Sequence, residues 1–418
     1  MRIMVLVEHL SNGGTERVIT QLSLIWAKLG HETVFVTKER RKGREFPNSC
    51  IAHECYDGRD LRIEDVLAYC DKYRPDCFVL NGGFSRVDAA VSLEALKQRP
   101  EIKKIAIIHH SYSTWLYELA CSEDFSRKQV LLGQDVLVCV DPLQALWWRE
   151  MGAKVIYIPN PVGVTVGVDT EAQRRGETKR IVWIGRLVDE CKCADKAIGI
   201  FRRVREHFPD TTMTMLGKVD EKTRVRLLRD VPEYVRMAIK MPGFTSDVTA
   251  AVRESAIHLF TSELEVTVPQ VILEAQACGT PTFAIDMPPL APVSEEQGVV
   301  KAENEASLAD RICEAFADSK QYETLVAASS EAGRIDLNGK VQEAWAGLFA
   351  ALSDDAKLDA CREENIGEIA TTDNYRLILK EEQRAQERFI KKHLEDLTRM
   401  KIWKGRLSRI MAMFGGAK

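Results

Sequence analysis

The stretch FTSELEVTVPQVILEAQACGTPTFAID, residues 260–286, decides how this chain folds. The apolar run Ile257 to Thr261 predicts a short buried strand, and Pro269 suits the first turn of a helix that Gly279 ends. Residues 281–285 predict a second buried strand. A strand, a helix and a strand this closely spaced predict a βαβ unit of a parallel sheet.

Carboxylates lie where such a unit binds its ligands. In parallel sheets, ligands sit beyond the carboxyl ends of the strands and beside helix N-termini. Glu263 and Glu265 belong to the loop before the helix, and Glu274 lies within the helix. We therefore take Glu265 and Glu274 as candidate site residues.

The frame from Pro269 to Pro281 resembles the donor-site signature of the GT-B glycosyltransferases, in the large retaining family 4 group. That family usually carries an acidic residue, seven others and a second Glu, written E-x7-E. Glu274 matches the second Glu, whereas the first position falls on Val266 and Glu265 comes one residue early. Either the loop is shifted by one residue or the first carboxylate is missing. The alternative is an ordinary βαβ unit whose Glu274 is solvated.

Composition sets limits on the class of protein. A chain of 418 residues is long for one core and predicts two domains. The net charge of -4 provides no basic field, so no nucleic-acid partner is expected. The 11 cysteines are scattered, and Cys77 and Cys139 lie in apolar runs, which favours reduced thiols in a cytosolic protein. We expect a cytoplasmic chain without a signal peptide or membrane span, because no apolar run is long enough and Glu8 interrupts the first.

The first predicted strand, residues 2–7, leads into a loop that carries Gly13 and Gly14 before a helix. Glycines there let backbone amides approach a ligand closely at the helix N-terminus. Residues 13–17, Gly-Gly-Thr-Glu-Arg, also resemble the Gly-Gly-x-Glu-Arg loop of the same family. The resemblance implies a place near the donor phosphates and the acceptor. The alternative is a tight strand-to-helix turn.

His109 follows a predicted strand at residues 104–108, with His110 as its less certain neighbour. A polar residue at such a strand end is expected to face the ligand. The family often has a His here, which implies contact with an acceptor hydroxyl or with the donor sugar. A histidine whose hydrogen bonds are satisfied within the domain wall is the alternative.

The second half opens with a predicted strand at residues 180–184 and a loop that contains Gly185, Arg186 and Lys192. Gly185 permits close backbone approach. Two cations near a helix N-terminus suit a diphosphate, because Arg binds oxygens bidentately and Lys supplies a point charge. Basic loop residues are otherwise usually solvated, but this loop resembles the diphosphate loop of the family.

Two further positions are assigned by resemblance alone. Gly217 follows the predicted strand 211–216, where the family commonly has a glycine turn beside the nucleotide. Phe244 lies in Pro242-Gly243-Phe244, the region whose backbone recognises the base in the family.

The resemblance implies an α/β protein of the GT-B class, with two Rossmann-like doubly wound domains facing a central cleft. The Gly-rich, polar stretch 163–179 predicts the boundary between them. We assign residues 1–165 to an acceptor-side domain, 166–338 to a nucleotide-sugar-binding domain, 339–355 to a closing helix and 356–418 to a C-terminal helical tail.

The tail carries apolar residues at helical spacing from residue 375 to 418, with a basic polar side near its end. A basic amphipathic helix of this kind can lie on an anionic membrane surface. The alternative, slightly favoured, is a helix that packs on its own protein or pairs with a partner chain.

The resemblance implies transfer of a sugar from a nucleotide-diphosphate sugar, with UDP-sugar favoured, to a hydroxyl of a glycan, lipid-linked or protein acceptor. Arg186 and Lys192 would stabilise the leaving diphosphate, Glu265 would hold donor-sugar hydroxyls, and Glu274 would accept from the ribose. The family retains the anomeric configuration, and surface polysaccharide or glycoconjugate synthesis is implied. No D-x-D pair occurs in the sequence, so neither a metal nor another cofactor is expected.

Two rival functions stay open. A non-catalytic GT-B partner or scaffold subunit would account for the displaced first carboxylate. Another GT-B enzyme, such as a nucleotide-sugar epimerase, would use the same donor but need no separate acceptor.

Overall fold

The chain forms two compact units, each built on a parallel sheet. One unit comprises Met1–Pro161 with Asn338–Lys418, and the other comprises Val162–Leu337. The predicted α/β class with two doubly wound sheets is therefore confirmed. The computed structural model describes residues 1–8, 14–39, 49–82, 86–109, 126–163, 176–245 and 248–397.

The sheet of the first unit reverses its strand order beside its first predicted strand, residues 2–7. Within the described residues its strands are β1 Arg2–Val7, β2 Glu32–Thr37, β3 Cys50–Cys55, β4 Cys77–Asn81, β5 Lys103–Ile108, β6 Val136–Cys139 and β7 Val155–Tyr157. They pair in parallel in the order β3-β2-β1-β4-β5-β6-β7. The order reverses between β1 and β4, where diverging connections open a crevice at the carboxyl ends.

Helices cover this sheet because its central strands are apolar on both faces. All residues of β4 are buried, and so are the last five of β1. The helix at residues 142–150 begins after Asp141, whose side chain accepts hydrogen bonds from the backbone amides of Leu143 and Gln144. Pro142 occupies its first turn. In chain order, the described helices between these strands are α1 Gly14–Lys28, α2 Ile63–Tyr73, α3 Arg86–Leu96, α4 Ser126–Leu132 and α5 Pro142–Glu150.

The second unit repeats the plan with a smaller sheet. In the part of the chain that the structure describes, its strands are β8 Arg180–Ile184, β9 Thr212–Leu216, β10 Ile239–Gly243, β11 Ile257–Phe260, β12 Thr282–Ile285 and β13 Val299–Ala302. They run parallel in the order β10-β9-β8-β11-β12-β13. The order reverses between β8 and β11, so the loops that follow these two strands border the ligand edge of the sheet.

The connections of the second unit are mainly helical. A 3-10 turn, Glu190–Lys192, lies between β8 and the first of these helices. Those that the structure describes are α6 Ala194–His207, α7 Glu221–Leu228, α8 Glu233–Arg236, α9 Val248–Arg253, α10 Gln270–Ala277, α11 Glu305–Ala317 and α12 Ser319–Gly333.

Three C-terminal helices follow, α13 Leu337–Ala351, α14 Asp355–Ile369 and α15 Thr372–Leu397. On α13, Trp345 packs edge to face against Trp26 of α1 with the ring centroids 5.0 Å apart. On α14, Asn365 accepts a hydrogen bond from the Tyr157 amide at 2.7 Å and donates to the Tyr157 carbonyl at 2.9 Å. Because β7 is an edge strand, Asn365 satisfies backbone groups that would otherwise be open to another chain.

The tail begins by packing on its own unit. On α15, Ile378 is buried in the core of the first unit, and the Tyr375 hydroxyl donates to Glu150 of α5 at 3.3 Å. Burial raises the pKa of Glu382, and a hydrogen bond from the Trp147 indole lowers it by less. The packing alternative therefore holds for the start of the tail, whereas residues 398–418 lie outside the described residues.

Most predicted elements are confirmed, and one strand is partly wrong. The sequence also predicts a strand from Arg236 to Met241, but this segment begins in the short helix α8, which starts after Pro232, and the strand itself starts at Ile239. Strands β3 and β13 were not predicted. In the described part of the chain all ten cysteines are free thiols, and Cys77 and Cys139 are buried as predicted.

We expect Asn365→Ala to lower the free energy of unfolding of the first unit by about 1–2 kcal/mol, because two backbone groups of β7 lose their partner. Denaturant unfolding measures this change. Glu368→Ala is the matched control, because Glu368 is exposed on the same helix; it should stay within about 0.5 kcal/mol of wild type. Equal stability of Asn365→Ala and wild type would contradict the edge-capping role.

Candidate functional site

Three predicted positions meet at the carboxyl ends of β8, β9 and β10. The Gly185 amide donates to the Leu216 carbonyl at 2.9 Å, and the Gly217 amide donates to the Gly243 carbonyl at 3.0 Å. Gly217 has φ 140, and a Cβ atom there would lie 1.8 Å from the Gly185 carbonyl oxygen. Only glycine fits this contact. Phe244 follows Gly243 in the chain and is exposed.

Arg186 extends from this edge into solvent. Its side chain is 68% exposed, and its guanidinium donates to Asp189 at 2.8 Å. Asp189 also accepts from the Cys191 amide and so caps the 3-10 turn that ends at Lys192. An exposed pair of this kind contributes little to stability. The guanidinium can therefore exchange Asp189 for an anionic ligand at low cost.

Lys192 and Glu265 form an ion pair across the switch point. The Lys192 ammonium contacts the Glu265 carboxylate, with the two side chains only 24% and 13% exposed. Lys192 belongs to the loop after β8 and Glu265 to the loop after β11. The structure thus brings together two of the predicted catalytic residues. It also places a carboxylate at this edge although Val266, the expected position, carries none.

A second ion pair runs beside the first and was not predicted. The Lys196 ammonium and the Glu263 carboxylate lie 2.7 Å apart. Burial lowers the pKa of Lys196, but the hydrogen bond and the charge attraction to Glu263, with smaller contributions from other acidic groups, together raise it further, so the net shift is upward. The signal for this pair in the sequence is the spacing of the charged residues. Lys192 and Lys196 are four residues apart, and Glu263 and Glu265 are two apart.

Helix α10 carries the remaining predicted carboxylate. Pro269 is its N-cap residue, and Glu274 lies in its second turn with 2% of its area exposed. The alternative of a solvated Glu274 is therefore wrong. Just before the helix, Val268 has φ 49, a left-handed conformation that a β-branched residue rarely adopts. Strain of this kind is concentrated at functional sites.

In the first unit, His109 pairs with Asn81 at the ends of β5 and β4. The His109 Nε2 atom and the Asn81 Oδ1 atom lie 2.8 Å apart. Gly82 allows this approach, since a Cβ atom there would lie 3.0 Å from His109 Cδ2. Asn81 is buried and was not named as a site residue. Gly14 begins α1, whereas Gly13 and His110 lie outside the described residues.

Two negative findings apply to the described residues only. No cluster of three or more His, Cys, Asp and Glu side chains there could hold a metal ion. None of the helices described combines the length and apolar character needed to cross a membrane.

Residues 178–318 match the family described as Glycosyl transferases group 1. The matched segment holds most of the second unit, with both ion pairs and Glu274. It covers about a third of the chain and excludes His109 and Gly14. No curated protein gives a significant match.

Solved structures support the GT-B fold over most of the chain. Anabaena Alr3699/HepE in complex with UDP-glucose matches with a TM-score of 0.65 and 14% identity, covering 82% of this chain and 98% of that one. WaaG, a glycosyltransferase involved in lipopolysaccharide biosynthesis, matches with a TM-score of 0.64 and 13% identity over 83% and 99% of the two chains. A TarM variant from S. aureus in complex with UDP matches with a TM-score of 0.65 and 10% identity over 84% and 99%. At identities this low, the likeness shows the fold alone.

Gly217→Ala is expected to lower the free energy of unfolding of the second unit by about 2–3 kcal/mol, because its Cβ atom displaces the peptide before Arg186. Gly347→Ala in α13 is the control, since a Cβ atom there meets nothing within 4 Å. That substitution should be neutral or stabilise by up to about 1 kcal/mol. Denaturant unfolding compares the variants, and unchanged stability of Gly217→Ala would contradict the tight glycine contact.

Proposed function

We propose that the chain is a glycosyltransferase that moves a sugar from a UDP-sugar to a hydroxyl acceptor. The observation that carries the proposal is the pairing of Lys192 with Glu265 at the switch point, with Arg186 on the same loop. Two cations and a carboxylate therefore lie side by side, which supports binding of a diphosphate and a sugar at this edge. The match of this segment to Glycosyl transferases group 1 supports the same reading.

The leaving diphosphate determines what the cations do. Negative charge grows on the diphosphate as its bond to the sugar breaks. Arg186 and Lys192 lower the free energy of this state more than that of the bound donor, which speeds transfer. Loss of one such partner costs about 3–4 kcal/mol, by analogy with a lost oxyanion donor. No nucleophile is assigned to the protein.

The carboxylates select the rest of the donor. Glu265 accepts hydrogen bonds from donor-sugar hydroxyls, and Glu274 accepts from the ribose. The base lies by Phe244, next to the glycine contact at Gly217. UDP is the favoured nucleotide because HepE and TarM were solved with UDP or a UDP-sugar.

The finer parts of the proposal concern the reaction and its setting. Transfer retains the anomeric configuration, needs no metal and uses no other cofactor. His109, held by Asn81, contacts the acceptor or the donor sugar. The acceptor is a glycan, lipid-linked or protein hydroxyl in surface polysaccharide or glycoconjugate synthesis, and the chain is cytoplasmic or peripheral on the inner face of the plasma membrane.

A non-catalytic partner subunit is the second candidate, and one observation favours it. Each of the cations Arg186, Lys192 and Lys196 already has an acidic partner within the unit. Together with the displaced first carboxylate, this could describe a site that no longer takes a donor. Turnover of a nucleotide sugar separates the two candidates.

The test is release of free nucleotide from UDP-, GDP-, ADP- and dTDP-sugars, with membrane lipid extract as acceptor. We expect release from UDP-sugars and a decrease in kcat/KM of about 100- to 1000-fold in Arg186→Ala. Arg202→Ala is the matched control and should keep wild-type activity, since Arg202 forms a similarly exposed pair with Glu206 at 3.3 Å.

The alternatives give different outcomes in the same assay. Nucleotide binding without release from any donor would favour the non-catalytic partner, and conversion of the donor sugar without release would favour an epimerase. Reactions with EDTA and NMR of the product anomer test the finer claims. Loss of activity in EDTA, or an inverted anomer, would contradict them.

A further inference from the structure

Thr261 occupies an unusual position at the end of β11. Its side chain is buried, with 1% of the residue exposed. Its Oγ1 atom accepts a hydrogen bond from the Trp183 indole at 2.9 Å. The same hydroxyl shares its single proton between the Lys192 carbonyl at 3.0 Å and the Cys193 carbonyl at 3.1 Å. A single hydroxyl thus links β8, β11 and the backbone of the candidate cation Lys192.

A backbone hydrogen bond two residues further along the chain from Thr261 holds the same turn. The Glu263 amide donates to the Cys191 carbonyl at 2.9 Å. Three successive carbonyls, those of residues 191–193, are therefore held by the segment that follows β11. Backbone bonds and the Lys192–Glu265 ion pair act on the same turn from the same side.

The turn needs this support because its backbone is strained. Cys193 has φ 50, the left-handed region, where a residue with a side chain costs about 1–2 kcal/mol. It ends the 3-10 turn and also precedes the first residue of α6. The hydroxyl of Thr261 contacts the two carbonyls that flank the Cys193 α carbon, those of Lys192 and Cys193. This contact favours the left-handed conformation of Cys193 over a relaxed one.

We propose that Thr261, held by Trp183, is a positioning residue that aims the Lys192 ammonium at the donor diphosphate. The inference rests on the proposed function and adds to it a residue that touches no substrate. Without the hydroxyl, the Lys192 carbonyl loses this donor, the Cys193 carbonyl keeps the Ala197 amide at 3.3 Å, and the strained turn relaxes. A displacement of about 1 Å is then enough to weaken a charge-assisted contact to the diphosphate.

The central variant is Thr261→Val, which keeps the shape of the side chain and removes the hydroxyl. We expect UDP, measured by titration calorimetry, to bind about tenfold more weakly. Thr261→Ser restores the hydroxyl and should stay within about threefold of wild type. Thr280→Val is the matched control, because Thr280 is equally buried in the same unit and donates to the Val252 carbonyl at 3.0 Å, so UDP affinity should not change.

A double-mutant cycle separates positioning from a general loss of stability. If Thr261 acts through Lys192, Thr261→Val should change UDP affinity by less than about twofold in a Lys192→Ala background. Hydrogen exchange supplies a readout that needs no ligand. Backbone amides of residues 190–196 should exchange at least about tenfold faster in Thr261→Val than in Thr280→Val.

The outcomes are distinct. Two results would overturn the positioning role and leave the proposed function intact. One is an unchanged UDP affinity in Thr261→Val. The other is a loss of UDP affinity on Thr261→Val that is equally large in the Lys192→Ala background. Unchanged exchange of residues 190–196 would overturn it as well. A wild-type protein that binds none of UDP, GDP, ADP and dTDP would instead overturn the proposed function, and the assigned target of Lys192 with it.

Discussion

The ion pair between Lys192 and Glu265 is the contact on which the candidate site depends. It joins the loops that leave β8 and β11, the neighbouring strands on either side of the switch point. Both side chains are largely withdrawn from water, so salt and solvent screen the pair less than they screen a surface pair. Removing the partner of a buried charge is costly. A ligand therefore binds most tightly when it meets two requirements: an anion for Lys192 and hydrogen-bond donors for Glu265.

A nucleotide sugar meets both requirements at once. Its diphosphate can replace the carboxylate at Lys192, and its sugar hydroxyls can donate to Glu265. A free nucleotide meets only the first requirement. Because Arg186 and Lys196 also have acidic partners, an anion binds here by exchanging partners rather than by entering a site of unbalanced positive charge. The N-terminus of α10, at the same edge, adds the partial positive charge of its helix dipole.

The fold could be predicted from the sequence where local signals are strong. The strand, helix and strand of residues 257–285 carry their own apolar runs, Pro269 and Gly279, and the structure follows them closely. The strand predicted from Arg236 to Met241 was partly wrong. The alternating pattern of this segment suits a strand, but a short helix that begins after Pro232 includes its first residue. Strand β3 is only partly buried and contains His53 and Glu54, so its sequence lacks the apolar run of an inner strand.

The site was predictable only in part. Gly217 was assigned by resemblance, and the structure adds the reason, a contact with the Gly185 carbonyl that excludes a Cβ atom. The Trp183–Thr261 bond joins residues 78 positions apart, and the Lys196–Glu263 pair joins residues 67 apart. No spacing rule along the chain reports such contacts, because they depend on which strands are neighbours in the sheet.

The most direct test of the central claim is a crystal structure of the protein with bound UDP-glucose. The account predicts that the Lys192 ammonium lies within about 3 Å of a diphosphate oxygen and that Glu265 accepts from a hydroxyl of the sugar. A bound nucleotide sugar that leaves the Lys192–Glu265 pair intact, with its diphosphate away from Lys192, would contradict it.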